Sequence, residues 1–213
     1  MKGGAIYGGA LIAGALAGMV TMLMHPTGSQ LLADVQHVAP VALAVHALAL
    51  AAIPVSFFGA LGLTRVLAAD GESAIGALVA YGMAQVAVMI AAVASGLLQP
   101  AIFSHIVSST GAERDLAMAF AQYTGSVNQA FAKVYVMASS AAILVWSAAI
   151  IAHGRLARGA GVLGVVVALL AIFGVAVGHV RLDVHGFGAV VLTQGLWTIT
   201  IGVLLLRKRP AIG

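Results

Sequence analysis

Histidine is the side chain whose charge changes nearest neutral pH, and its neutral ring is a common metal ligand. The chain has seven: His25, His37, His46, His105, His153, His179 and His185. They are not spread evenly. All but His153 fall in, or near the ends of, the first, third and fifth connections between long apolar runs. The densest stretch is His179-Val180-Arg181-Leu182-Asp183-Val184-His185. Read as a helix, it puts His179 and Asp183 on one face, and Arg181 and His185 on another. A carboxylate that fixes a histidine tautomer stands behind many metal ligands and general bases. The spacing is not the His-Glu-x-x-His of zinc proteases, and a short polar hairpin is the plain alternative. His37 reads as a solvated loop residue, as does His105 taken alone. The ligand or metal candidates are His25, His46, His105, His179, Asp183 and His185. Neutral imidazoles suit a transition metal, and one or two of them suit haem. The chain has no cysteine, which excludes thiolate sites and disulfides.

A second set of polar residues sits inside the apolar runs. Ser126, Lys133, Ser140 and Ser147 recur every seven positions in the fourth run, with Gln129 between the first two. Such spacing keeps residues near one helix face. The third run carries Tyr81, Gln85 and Gln99, and the sixth carries Gln194 and Thr198. His46 and Lys133 both lie about 10 Å below the same edge of their runs, from a rise of about 1.5 Å per residue. The expected arrangement is a polar interior of His46, Gln85, Gln129, Lys133, Ser140 and Gln194. A lysine inside a membrane is a functional hypothesis that needs a partner. Asp34 and Asp183 are the candidates, and snorkelling to the headgroups is the alternative.

The elements that must position these residues follow from composition. The chain is 62% hydrophobic and only 8% charged, against about 25% charged in soluble domains. Six apolar runs are each long enough for a bilayer, which takes about 20 residues per helix: Gly3–Met24, Ala39–Leu63, Ala74–Leu98, Val127–Ile151, Ala160–Val180 and Phe187–Leu206. The expected fold is an all-α integral membrane protein, a compact bundle of six transmembrane helices in one domain, 1–213. The first run reads as a retained helix, because it is longer than a signal-peptide core.

Gly4, Gly8, Ala10, Gly14 and Gly18, and likewise Gly174 and Gly178, read as small-residue packing faces. Pro54 frees the Leu50 carbonyl and predicts a kink. Residues Ala112–Tyr123 mix charged and apolar side chains, which predicts a short interfacial helix in the outer loop between helices 3 and 4.

Basic residues in short loops sort to the cytoplasm. Lys2, Arg65, Arg155, Arg158, Arg207, Lys208 and Arg209 lie on one side, and Arg114, Lys133 and Arg181 on the other. This places both termini inside, the histidine-rich connections outside, and the protein in a bacterial inner (cytoplasmic) membrane. The net charge of +4 is explained by these helix-end residues and is no nucleic-acid signal. The partners expected are the lipid bilayer and a small polar or anionic ligand, and homo-oligomers are compatible.

Three functions compete. The leading one is a binding or redox protein with a histidine-rich polar site near the outer face, holding a metal ion, haem or small polar ligand. The second is a small-solute transporter or channel with a polar path along helix 4. The third is an accessory or structural membrane subunit that uses its glycine faces for recruitment.

Overall fold

The computed structural model describes residues 4–207. Among the basic residues that set the expected orientation, Lys2, Lys208 and Arg209 lie outside that range, as does Gly3. The described chain is helical without strands: α1 (Gly4–Met24), α2 (Gly28–Ala33), α3 (Val35–Leu67), α4 (Ser73–Val93), α5 (Gln99–Ser108), α6 (Gly111–His153), α7 (Arg158–Ala176) and α8 (Val184–Arg207). Among the described residues, six segments are long and apolar enough to cross a membrane. They overlap the six expected runs, but the fifth ends at Ala176 and not at Val180, the sixth starts three residues early at Val184, and three others extend further. The second is Val35–Leu67, the third Ser73–Ser108 and the fourth Gly111–His153.

The fourth differs most from expectation. Ala112–Tyr123 is helical, but it is the first part of α6 and not a separate element. No proline lies between Gly111 and Gly154, and the weak helix formers around Gly125, Thr124 to Asn128, stay helical because α6 packs there against α4 and α5. It stops at Gly154, which adopts φ 64° and donates its N–H to the Ile150 carbonyl. The third span is extended by a π-helical turn, Ala94–Leu98, that leads directly into α5. α3 runs unbroken through Pro40 and Pro54.

The spans form a closed ring. α1 packs against α3 and α8, α3 against α4, α4 against α6, α6 against α7 and α7 against α8. In a bilayer such contacts are driven by close packing, which small residues permit. A Cβ at Gly8 would lie 2.5 Å from the Gly202 carbonyl oxygen, and one at Gly202 would lie 2.8 Å from that of Gly8. α1 and α8 therefore cross backbone to backbone. Gly59 lets α3 approach Leu11 in the same way, and Gly14 faces Ser56. The expected Gly174–Gly178 packing face does not form. Gly178 lies beyond α7 at φ 75°, where it ends the helix, and the Gly174 carbonyl accepts from Val180 N–H at 2.8 Å.

One end of the ring is solid. Leu63, Leu67, Trp146, Ile150, Ile201 and Leu205 are all nearly inaccessible there. The other end is hollow, and α2 and α5 pack above it through Leu31, Phe103 and Ile106 against Ala117 and Ala121 of α6.

Candidate functional site

The hollow is a cavity of about 1110 Å³, walled by α1, α3, α4, α6 and α8. Its rim includes Pro26, Thr27, Gly28 and Ser29 after α1, and Asp183 and His185 at the start of α8. Its floor includes Leu63, Ile143, Trp146 and Trp197. Described residues of α7 do not line it. The wall is thus polar near the rim and apolar at the base.

His25 and His46 meet in this wall. Their Nε2 atoms are 3.0 Å apart, and the rings stand edge to face with centroids 4.6 Å apart. His25 follows the last residue of α1, and Pro26 turns the chain so that its Nδ1 lies 2.8 Å from the Pro26 carbonyl oxygen. His46 is buried in α3, with Nδ1 2.7 Å from the Ala42 carbonyl oxygen. A carbonyl oxygen only accepts, so both Nδ1 atoms carry the proton. Burial lowers the His25 pKa below its ordinary value, and the Pro26 carbonyl bond opposes that shift.

The π-helical turn completes the arrangement. Ser95 Oγ lies 2.9 Å from His46 Nε2 and 3.0 Å from the Ala91 carbonyl oxygen. That carbonyl also accepts from Asn128 Nδ2 at 3.0 Å. A hydrogen-bonded chain therefore runs from α3 through α4 to α6. Gly96, in the same turn, faces the imidazole so closely that a Cβ there would overlap its Cβ, Cγ and Cδ2 atoms. π-turns are rare and concentrate at functional sites.

The remaining polar wall is contributed by Tyr81, Gln85, Gln99, Gln122, Ser126, Gln129, Lys133 and Tyr135, with Gln194 nearer the floor. Gln129 donates to the Leu182 carbonyl at 2.8 Å. Gln194 is paired on both sides, accepting from Ser139 at 3.0 Å and donating to Ser140 at 2.9 Å. Lys133 makes no hydrogen bond or ion pair among the described residues.

Several expectations require correction. Neither proposed partner of Lys133 reaches it. Asp34 pairs with the exposed His37 at 2.9 Å and receives the His37 N–H at the start of α3. Asp183 accepts the backbone N–H groups of His185 and Gly186, at 3.1 and 2.9 Å, at the start of α8. Residues 179–183 are not helical, so His179 and Asp183 share no helix face, nor do Arg181 and His185. His179 is exposed and outside the cavity wall. His105 is also outside it, with Nε2 3.2 Å from Glu113.

The serine stripe of the fourth run does not line a path either. Ser126 and Lys133 face the cavity, whereas Ser140 is engaged by Gln194 and Ser147 is buried beside Gly164. An α-helix drifts about 20° per seven residues, so the stripe winds off the cavity by its third and fourth members.

Among the described residues, no three histidine or carboxylate side chains gather as a metal-binding group. Direct contact between the His25 and His46 rings leaves no gap for a porphyrin held between them. Sequence reasoning missed Ser95 and Asn128, whose only sign was a polar residue next to a glycine or glutamine in an otherwise apolar run. No protein-family profile, curated protein or solved structure matches this chain.

Proposed function

We propose that this protein is a membrane-embedded binding protein that takes a small amphipathic molecule into the one-ended cavity. The observation that carries this reading is the polarity gradient of the wall. An ionisable amine without a hydrogen-bond or ion-pair partner among the described residues, Lys133, stands among amides and hydroxyls in the polar part of the wall, and two tryptophans stand at the base. The volume of about 1110 Å³ lies at the upper end of small-molecule sites, which span about 300–1,000 Å³ and are mostly apolar with a few placed polar groups. A polar head at Lys133 would be held by charge-assisted hydrogen bonding, and an apolar tail would lie toward Trp146 and Trp197. On this reading the rim faces outward and both termini are cytoplasmic, following the excess of basic residues at the solid end. The start of α6, with Glu113, Arg114 and Asp115 exposed, then stands at the outer interface of the cytoplasmic membrane.

The chain has only two tryptophans, and both line the cavity, so their fluorescence reports occupancy. Decanoate added to protein in nanodiscs is expected to give a saturable change, with one decanoate per chain by native mass spectrometry. Lys133→Met is expected to weaken it roughly tenfold to a hundredfold, from about 1.5–3 kcal/mol for a hydrogen bond to a charged group. A non-saturable response and no retained decanoate would overturn the reading.

A further inference from the structure

We infer that the His25–His46 pair is a binding site for a single shared proton, taken up together with an anionic head group in the cavity. The inference rests on the ligand reading above and adds the sign of the head group and its coupling to protons.

The argument begins with hydrogen positions. Both Nδ1 atoms are committed as donors, to the Pro26 and Ala42 carbonyl oxygens. With both rings neutral, each Nε2 then presents a lone pair, and the two lone pairs face each other at 3.0 Å. Turning either ring to its other tautomer donates an Nε2–H across the gap. It also leaves that ring's Nδ1 lone pair against a carbonyl oxygen at 2.8 Å or less. Each neutral arrangement therefore contains at least one repulsive contact. One added proton between the two Nε2 atoms removes all of them: three N–H groups then serve two carbonyls and the N–N contact. The distance is that of an ordinary hydrogen bond. The single Ser95 hydroxyl proton can go to the Ala91 carbonyl or to His46 Nε2; in neither case does it lie between the two imidazole Nε2 atoms, so it does not substitute for the shared proton.

That proton adds a positive charge in a poorly solvated place, which opposes its retention. The charged and titratable groups that line the same cavity are Lys133 and Tyr135 on α6, Tyr81 on α4, and Asp183 and His185 at the start of α8; α1 and α2 contribute none. The Asp183 carboxylate is held by two backbone N–H groups, and Lys133 is a second cation. An anion in the cavity therefore offsets both cations, and anion and proton stabilise each other. By linkage the effect is reciprocal: protonation tightens anion binding, and anion binding draws in the proton. A neutral amphiphile of the same chain length gains nothing from it.

The test is calorimetry of decanoate binding to the protein in nanodiscs, repeated in buffers of different ionisation enthalpy, with 1-decanol as the neutral probe. The expected result is uptake of about one proton per decanoate above the pair's own titration range. Affinity should fall about tenfold per pH unit there. Decanol should bind without proton uptake, and His46→Gln should abolish both the uptake and the pH dependence. Decanoate binding with no proton uptake would overturn the shared proton while leaving the cavity reading intact. Binding of neither probe would overturn the cavity reading, and the coupling with it. Should His46→Gln fail to fold, nitrogen-15 NMR of histidine-labelled wild-type protein decides. The expected pattern is two rings protonated at Nδ1 throughout, losing one common proton from Nε2 as pH rises. Deprotonation at Nδ1 of either ring, or two independent titrations, would overturn it.

Discussion

At the scale of single residues, the site depends on one missing side chain. Gly96 leaves room for the His46 ring, and the neighbouring Ser95 holds its Nε2 at 2.9 Å. Gly96→Ala is expected to displace the imidazole and cost roughly 1–3 kcal/mol, as overpacking does. Thermal unfolding in detergent would measure the loss, and His46 NMR the displacement. A second residue-scale effect lies at the surface. Asp34 has its pKa lowered chiefly by the hydrogen bond to His37. A carboxylate with a depressed pKa contributes while ionised, so its contribution is present above the unfolded value and disappears as pH falls through the folded one. Hydrogen exchange at the first turn of α3 should therefore quicken on acidification below the ordinary carboxylate range, and Asp34→Ala should remove that dependence. Among the site residues, His25, His46, Gln85, Gln129, Lys133 and Gln194 were legible as polar or titratable groups in apolar surroundings. Their pairing was not. His25 and His46 are joined across two helices by the turn at Pro26, and sequence spacing carries no such distance.

At the scale of elements, hydropathy located all six spans because a bilayer demands long uninterrupted apolar helices. It did not locate their ends. α6 continues past the apolar run because polar helix formers propagate a helix in water as well as apolar ones do. The segment 179–183 failed as a helix because Gly178 ends α7 and Asp183 begins α8. Asp183 is a capping residue, and that role makes a prediction. Asp183→Ala should cost about 1 kcal/mol, as cap removal does, while Asp183→Asn should be nearly neutral. Equal losses in chemical denaturation would mean that its charge, and not its acceptor geometry, matters. The π-helical turn was not legible at all, since its residues are compatible with an ordinary α-helix.

At the scale of the molecule, the hollow and solid ends divide the ring. With no native cysteine, single cysteines report access without background. Ser126→Cys and Gln85→Cys should react with a membrane-impermeant thiol reagent from the rim side, and Ser147→Cys should stay unreactive from both. Labelling of Ser147→Cys from the solid end would show a through-path and favour transport. The ring also has a temporal side. Its backbone-to-backbone seam, Gly8 against Gly202, joins the first of the six described spans to the sixth. Of these six, the first must wait in the lipid, its Gly8 face uncovered, until the sixth is made. Assembly is then a closing step with a large loop entropy, slow by topology. A chaperone or insertase that sheltered the first of these helices would protect an unpaired face during that wait.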